Sequence, residues 1–180
     1  MSPRDLTPLS ARVLTRDGVF TDDTWRFVGS GESRSGPVSE RALLPLAQYL
    51  AAPQPRSRGV WLAPGDSPAA LAPFVDALPL IAIEFPTFAD GRGYSVATLL
   101  RTRYGYRGDL RAVGNVLVDQ LFALKRAGFS SFELRFDQPH DAALRALHTF
   151  SEAYQTSADT ELPAFRRCVR PAAIELEKTR

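Results

Sequence analysis

From Gly59 onward, short apolar runs alternate with longer stretches whose apolar positions recur every three or four residues. This is the pattern of strands followed by helices around a parallel sheet, and four such units can be read. Val60 to Ala63 is a strand that leads through Pro64-Gly65-Asp66 into a helix ending near Leu78, with Pro68 in its first turn and Pro73 set to kink it. Leu80 to Ile83 is the most apolar run of the chain, so it is expected to be the central strand, covered on both faces, with Glu84 at its end. Its helix is predicted over 95–104. Leu110 to Val113 forms a third strand, after which Asn115 caps a helix over 116–127 that Gly128 terminates. Phe132, Leu134 and Phe136 alternate with Ser131, Glu133 and Arg135, which predicts a fourth strand with one polar face, placed toward an edge. Ala143, Leu147, Phe150 and Tyr154 mark the helix that follows.

The N-terminal third is less regular. Residues 1–10 read as a loose arm. Val13-Leu14, the turn Arg16-Asp17-Gly18, Val19-Phe20 and then Trp25 to Val28 predict a hairpin. A Gly/Ser-rich loop covers 29–37, and Ser39 is expected to cap a helix through Ala52 that buries Leu43, Ala47 and Leu50. The whole chain reads as a single α/β domain: arm and hairpin over 1–37, a βα core over 38–157, and a tail over 158–180 in which 170–178 adds a short helix. The expected fold is a mostly parallel sheet of about four βα units with an N-terminal β-hairpin; the alternative is a partial (β/α) barrel, in which the same repeats curl.

Composition narrows the functions open to such a domain. With 180 residues, 44% of them hydrophobic, the chain can bury a core unaided. No leader opens it and no run approaches the roughly 20 apolar residues of a membrane helix, so a cytoplasmic protein without a membrane partner is expected. A net charge of +2 with scattered arginines excludes a dedicated nucleic-acid binder and leaves an anionic small molecule open. Cys168 stands alone, so no disulfide, Cys-x-x-Cys pair or iron–sulfur cluster can be built, and it reads as a passive thiol. Redox work would need a borrowed cofactor, and no motif identifies one. His140 and His148 do not share one helix face, so no metal site is expected. A one-sided fourth strand makes pairing into a homodimer a further option.

In parallel α/β sheets, ligands bind beyond the carboxyl ends of the strands. That rule selects Asp66, Glu84, the loop Asp90-Gly91-Arg92-Gly93-Tyr94-Ser95, then Gly114 with Asn115, and Arg135 with Asp137, all on one rim. The loop has the parts of an anion site: glycines admit backbone N–H groups, Arg92 adds charge, and Ser95 opens a helix whose dipole favours anions. It reads equally as a turn in which Asp90 pairs with Arg92 and Ser95 merely caps. Val96 stands where a dinucleotide fingerprint needs its third glycine, and no Walker-type Gly-Lys-Ser or Gly-Lys-Thr occurs. Glu84 demands a partner, which Arg92, Arg111 or a ligand could supply, and Arg111 within a strand makes the same demand, so a buried Arg–Glu pair stands beside the ligand reading. Asp119 and Gln120 interrupt an apolar run, facing the rim, another subunit or solvent. The catalytic candidates are Glu84 and Asp119. The ligand-binding candidates are Asp90, Gly91, Arg92, Gly93, Ser95, Arg111, Gly114, Asn115 and Gln120.

The segments Phe88 to Ser95, Leu99-Leu100-Arg101, Leu110 to Gln120 and Gly128-Phe129 together resemble a bacterial family of unknown function, domain of unknown function 934. Its members are usually described as oxidoreductases involved in sulfite reduction, because their genes lie beside those of sulfite reductase and sulfate assimilation. The resemblance runs from about Trp61 to Phe136 and carries over Asp90, Gly91, Arg92, Gly93, Ser95, Arg101, Arg111, Gly114, Asp119 and Gln120. Where the family is expected to hold an aspartate after Gly114, this chain has Asn115, which favours a capping role there. The resemblance implies an accessory protein of assimilatory sulfite reduction that binds an anionic ligand, the reductase or another sulfate-assimilation protein. It also admits an oxidoreductase-type enzyme of that pathway, with a borrowed phosphate-bearing cofactor and Glu84 or Asp119 as general acid or base. An interaction module outside sulfur metabolism is the third reading.

Overall fold

The computed structural model describes residues 12–28, 41–51 and 58–167. Eight strands, β1 (Arg12–Thr15), β2 (Phe20–Asp22), β3 (Arg26–Phe27), β4 (Ala42–Pro45), β5 (Gly59–Leu62), β6 (Leu80–Phe85), β7 (Asp109–Gly114) and β8 (Ser131–Phe132), form one sheet in the order β2-β1-β8-β7-β6-β5-β4-β3. From β3 to β8 the strands run parallel and adjacent in chain order, while β1 and β2 form an antiparallel hairpin against β8. The sheet curls into a half-barrel, the partial-barrel form of the expected α/β fold. The helices are α1 (Leu46–Ala51), α2 (Arg92–Thr102), α3 (Leu121–Ala127), α4 (His140–Leu147) and α5 (Ala164–Arg167), with 3-10 turns at Pro68–Phe74 and Val118–Gln120.

Curling is enforced by the chain itself. Asp23, Thr24 and Trp25 alone join β2 to β3, which stand at opposite ends of the strand order. So short a link spans at most about 14 Å, and the two sheet edges must face one another across it. Period-2 alternation then sorts the side chains. Val60, Leu62, Ile81, Ile83, Phe85, Leu110, Ala112 and Phe132 pack with the helices in the larger core, whereas Leu43, Trp61, Leu80, Ala82 and Val113 pack with Trp25 inside the curl.

The central-strand expectation holds: Leu80 to Ile83 are all buried, and β6 has four strands on one side and three on the other. Other expectations need correction. Residues 42–45, expected in a helix, are β4; three successive apolar residues suit a parallel strand covered on both faces, and only α1 is helical. Trp25 to Val28 do not extend the hairpin, since β3 pairs with β4 at the far edge. The fourth βα strand is no edge, because β8 lies between β7 and β1, and its polar face looks into the curl. The last long helix stops at Leu147, leaving Phe150 and Tyr154 exposed. The expected arm over 1–10, the loop over 29–37, the Ser39 cap, Cys168 and the helix over 170–178 lie outside the described residues. No helix among the described residues is long and apolar enough to cross a membrane.

Candidate functional site

Inside the curl, the alternation that sends Leu110 and Ala112 to the helices sends Asp109, Arg111 and Val113 inward. The Arg111 side chain is 7% exposed, and it meets Asp23 at 2.9 Å and Asp109 at 3.4 Å. Its Nε donates to the Ser131 hydroxyl at 3.2 Å, and that hydroxyl donates to Asp109 Oδ1 at 2.8 Å. A buried guanidinium is thus satisfied by two carboxylates and a hydroxyl, and the edge-to-edge link is tied to the sheet through Asp23. Arg111 needed an acid, as expected, but its acids are Asp23 and Asp109.

Glu133 sits one residue beyond β8 and points to the same side as Ser131. Burial, and next the charge of Asp23, push its carboxyl up to about 7 against the opposing pull of Arg111. Its Oε2 is buried and has no hydrogen-bond partner among the described residues. A carboxyl titrating near neutrality can give or take a proton at working pH. Glu84, half-buried at the end of β6, pairs in register with Val113, and Ala112 pairs with Phe132. The two glutamates therefore flank Val113 in one row of the inner face.

On the carboxyl-end rim, the other predicted residues separate into small local groups. Arg92 holds Asp90 through bonds of 2.9 and 2.6 Å, and Asp90 Oδ1 also accepts the Arg92 backbone N–H, so Asp90 starts α2. This pairing lowers the Asp90 carboxyl to about 2. The helix thus begins at Arg92, and Ser95 is an exposed residue within its first turns rather than its opening cap. Gly91 precedes the helix in open space.

The two glycines on either side of Phe85 are matters of space. A Cβ on Gly93 would lie 2.5 Å from the Phe85 ring, and one on Gly114 2.6 Å from the Phe85 carbonyl oxygen. Gly114 has φ of +93°, which a side chain would strain in any case. Phe85 in turn packs its ring against Tyr94 and Phe129 at 5.5 and 5.8 Å.

Asn115 does not cap the following helix. Its Oδ1 accepts from Arg135, which is also clamped by Asp137 at 2.7 Å through both Nε and Nη2. Capping falls to Gln120, 7% exposed, whose Oε1 accepts the Leu117 N–H at 3.0 Å. Gln138 does the same for Val118. Asp119 is exposed, and its charge adds to burial in raising the Tyr94 hydroxyl. Asp66 accepts the Ala63 N–H and closes the turn after β5.

Asp23, Asp109, Ser131 and Glu133 were not among the sequence candidates. The signal that could have found them is parity: Ser131 and Glu133 alternate away from the core residues of β8, as Arg111 does from those of β7. Among the described residues, no group of three or more His, Cys, Asp or Glu is placed to hold a metal ion.

The model of the bacterial proteins of unknown function (DUF934) matches residues 59–165, which supply β5 to β8 with Arg111, Glu133 and both rim pairs. Asp23, which closes the curl, lies outside that match. No curated protein matches the chain.

Proposed function

Since the chain belongs to the bacterial family of unknown function DUF934, we propose that it is a cytoplasmic accessory protein of assimilatory sulfite reduction that works by docking on the reductase. The supporting observation is an aromatic surface beyond α4. Phe150, Tyr154, Leu162 and Phe165 are each more than half exposed. Phe150 packs on Phe122 at 5.1 Å between ring centroids, and Tyr154 on Phe165 at 6.2 Å. The segment is nevertheless fastened: Ser157 Oγ donates to the Arg126 carbonyl at 2.7 Å, Arg126 Nη2 to that of Gln155 at 2.5 Å, and Ala164 N–H to that of Tyr154 at 2.9 Å. Rings held in place yet left in water suit a protein partner, because burying them on binding costs little further ordering.

The test is co-elution of the full chain with sulfite reductase on size exclusion, together with growth of a deletion strain on sulfate. Co-elution should be lost in the Phe150→Ala/Tyr154→Ala/Phe165→Ala variant, which should also fail to restore growth. Normal growth of the deletion strain on sulfate would exclude this role. A second reading, an enzyme of the same pathway, draws on Glu133, whose near-neutral carboxyl suits a general acid or base. It predicts a pH–rate profile with an inflection near 7 that Glu133→Gln abolishes.

A further inference from the structure

At the end of the sheet opposite the strand carboxyl ends lies a cleft of about 480 Å³. The β1–β2 turn, the α2–β7 loop, the end of α3 and the segment after α4 enclose it, and Arg16, Arg101 and Arg107 line it. Arg101 is the fixed floor. Its Nε donates to the Gly128 carbonyl at 2.8 Å and its Nη1 to those of Tyr106 and Gly108 at 2.8 and 2.9 Å, and its guanidinium lies 5.2 Å from the Tyr106 ring centroid. Gly128 admits this arrangement: it adopts φ of +106°, and a Cβ there would lie 2.6 Å from Arg101 Cγ.

The acids that line the cleft also serve groups outside it. Asp109 accepts from Ser130 and Ser131 and pairs with Arg111, and Asp159 faces Arg126 at 3.7 Å. Arg16 and Arg107 are exposed, and neither side chain has an ion-pair or hydrogen-bond partner among the described residues. Burial lowers the Arg101 guanidinium; Tyr106 and the Asp109 carboxylate pull it back up, and the nearby charges of Arg16 and Arg107 push it down again. Arg16 and Arg107 therefore bring two unpaired guanidiniums to one concavity beside Arg101, which Asp109 compensates, an arrangement that attracts an anion. Guanidinium groups match tetrahedral oxoanions in two-pronged geometry. The volume falls in the range of roughly 300–1,000 Å³ typical of small-molecule sites, leaving room for an organic remainder.

We infer that this cleft binds an oxoanion group of the phosphate or sulfate type, clamped by Arg16 and Arg107 over the floor that Arg101 provides. The inference does not rest on docking on a reductase: the segment after α4 borders both places, but the cleft is carried by Arg16, Arg101 and Arg107 and needs no second protein.

The experiment is isothermal titration calorimetry of the full chain at low ionic strength with inorganic phosphate, sulfate and adenosine 5′-monophosphate. Binding of these probes is expected, weakened roughly tenfold or more in Arg16→Ala and in Arg107→Ala. Both residues are exposed, so the thermal midpoint should be unchanged and should confirm that each variant is folded. Arg145→Ala, which removes the same charge from an exposed site on α4, should bind like the parent. Tighter binding of the nucleotide than of phosphate would identify an ester-borne group as the ligand, and equal affinities the free ion. No binding of any probe, unaltered affinity in both cleft variants, or an equal loss in Arg145→Ala would overturn the inference.

Discussion

Two Asp–Arg pairs, one inside the curl and one on the rim, use the same chemistry in opposite surroundings. Arg92 and Asp90 meet at 2.6 Å with the arginine side chain 63% exposed; Arg111 and Asp23 meet at 2.9 Å with side chains 7% and 10% exposed. The shorter bond belongs to the weaker determinant of the fold. Water competes for the rim pair, and its attraction is screened, whereas losing either partner inside the curl leaves a buried charge short of its nearest counter-charge, where water cannot make up the loss. Contact distance does not rank these interactions, and burial does.

The largest effect is expected from Arg111→Ala, which should cost about 3–5 kcal/mol in urea denaturation by leaving Asp23 buried without its cation. A loss no greater than that of a surface substitution would remove the contrast between the pairs. Glu133→Gln should act in the opposite sense. Its folded-state value of about 7 lies above the ordinary 4.5, so the folded protein holds a proton between those values that the unfolded chain releases. The stability carried by the protonated form is present below about pH 4.5 and is lost as pH rises through 7. The glutamine variant should therefore gain about 3 kcal/mol over the parent at pH 8 and nothing at pH 4; denaturation curves that stay parallel at both pH values would place Glu133 outside the buried cluster. Ser131→Ala removes the hydroxyl shared by Arg111 and Asp109 and should cost about 1–2 kcal/mol. At the small end, Arg92→Ala should leave the denaturation midpoint within experimental scatter, and a clear fall would show that the rim pair carries more than its exposure implies.

The same contrast explains what could be read from the chain. Asp90 with Arg92 and Arg135 with Asp137 are two residues apart, so rim groups of this kind lie open in the sequence. Asp23 precedes Arg111 by 88 positions, and only the need for a partner was visible. β6 was legible because a run buried on both faces is apolar throughout. β4 was hidden because Leu43, Ala47 and Leu50 also fit a helical stripe, and β3 because its neighbour is chosen by the curl. Glu133 was masked by an alternation that a water-facing strand and the interior of a curled sheet share. Gly93 and Gly114 read as openings for a ligand, yet the space they leave is taken by Phe85. The arginine cleft draws on a turn, a helix and a loop, and no local pattern announces it.

The three-residue link between the sheet edges also sets a timetable. Thr15 pairs with Ser131, more than a hundred residues later, so at ordinary synthesis rates the hairpin waits roughly 5–25 s for the strand it completes. Until then β1 offers an unpaired edge to other nascent chains, and Asp23 has no Arg111 to meet. Closure is consequently a late, long-range event on the ribosome, and a lesion in residues 12–25 should surface first as slow maturation and aggregation of newly made chains.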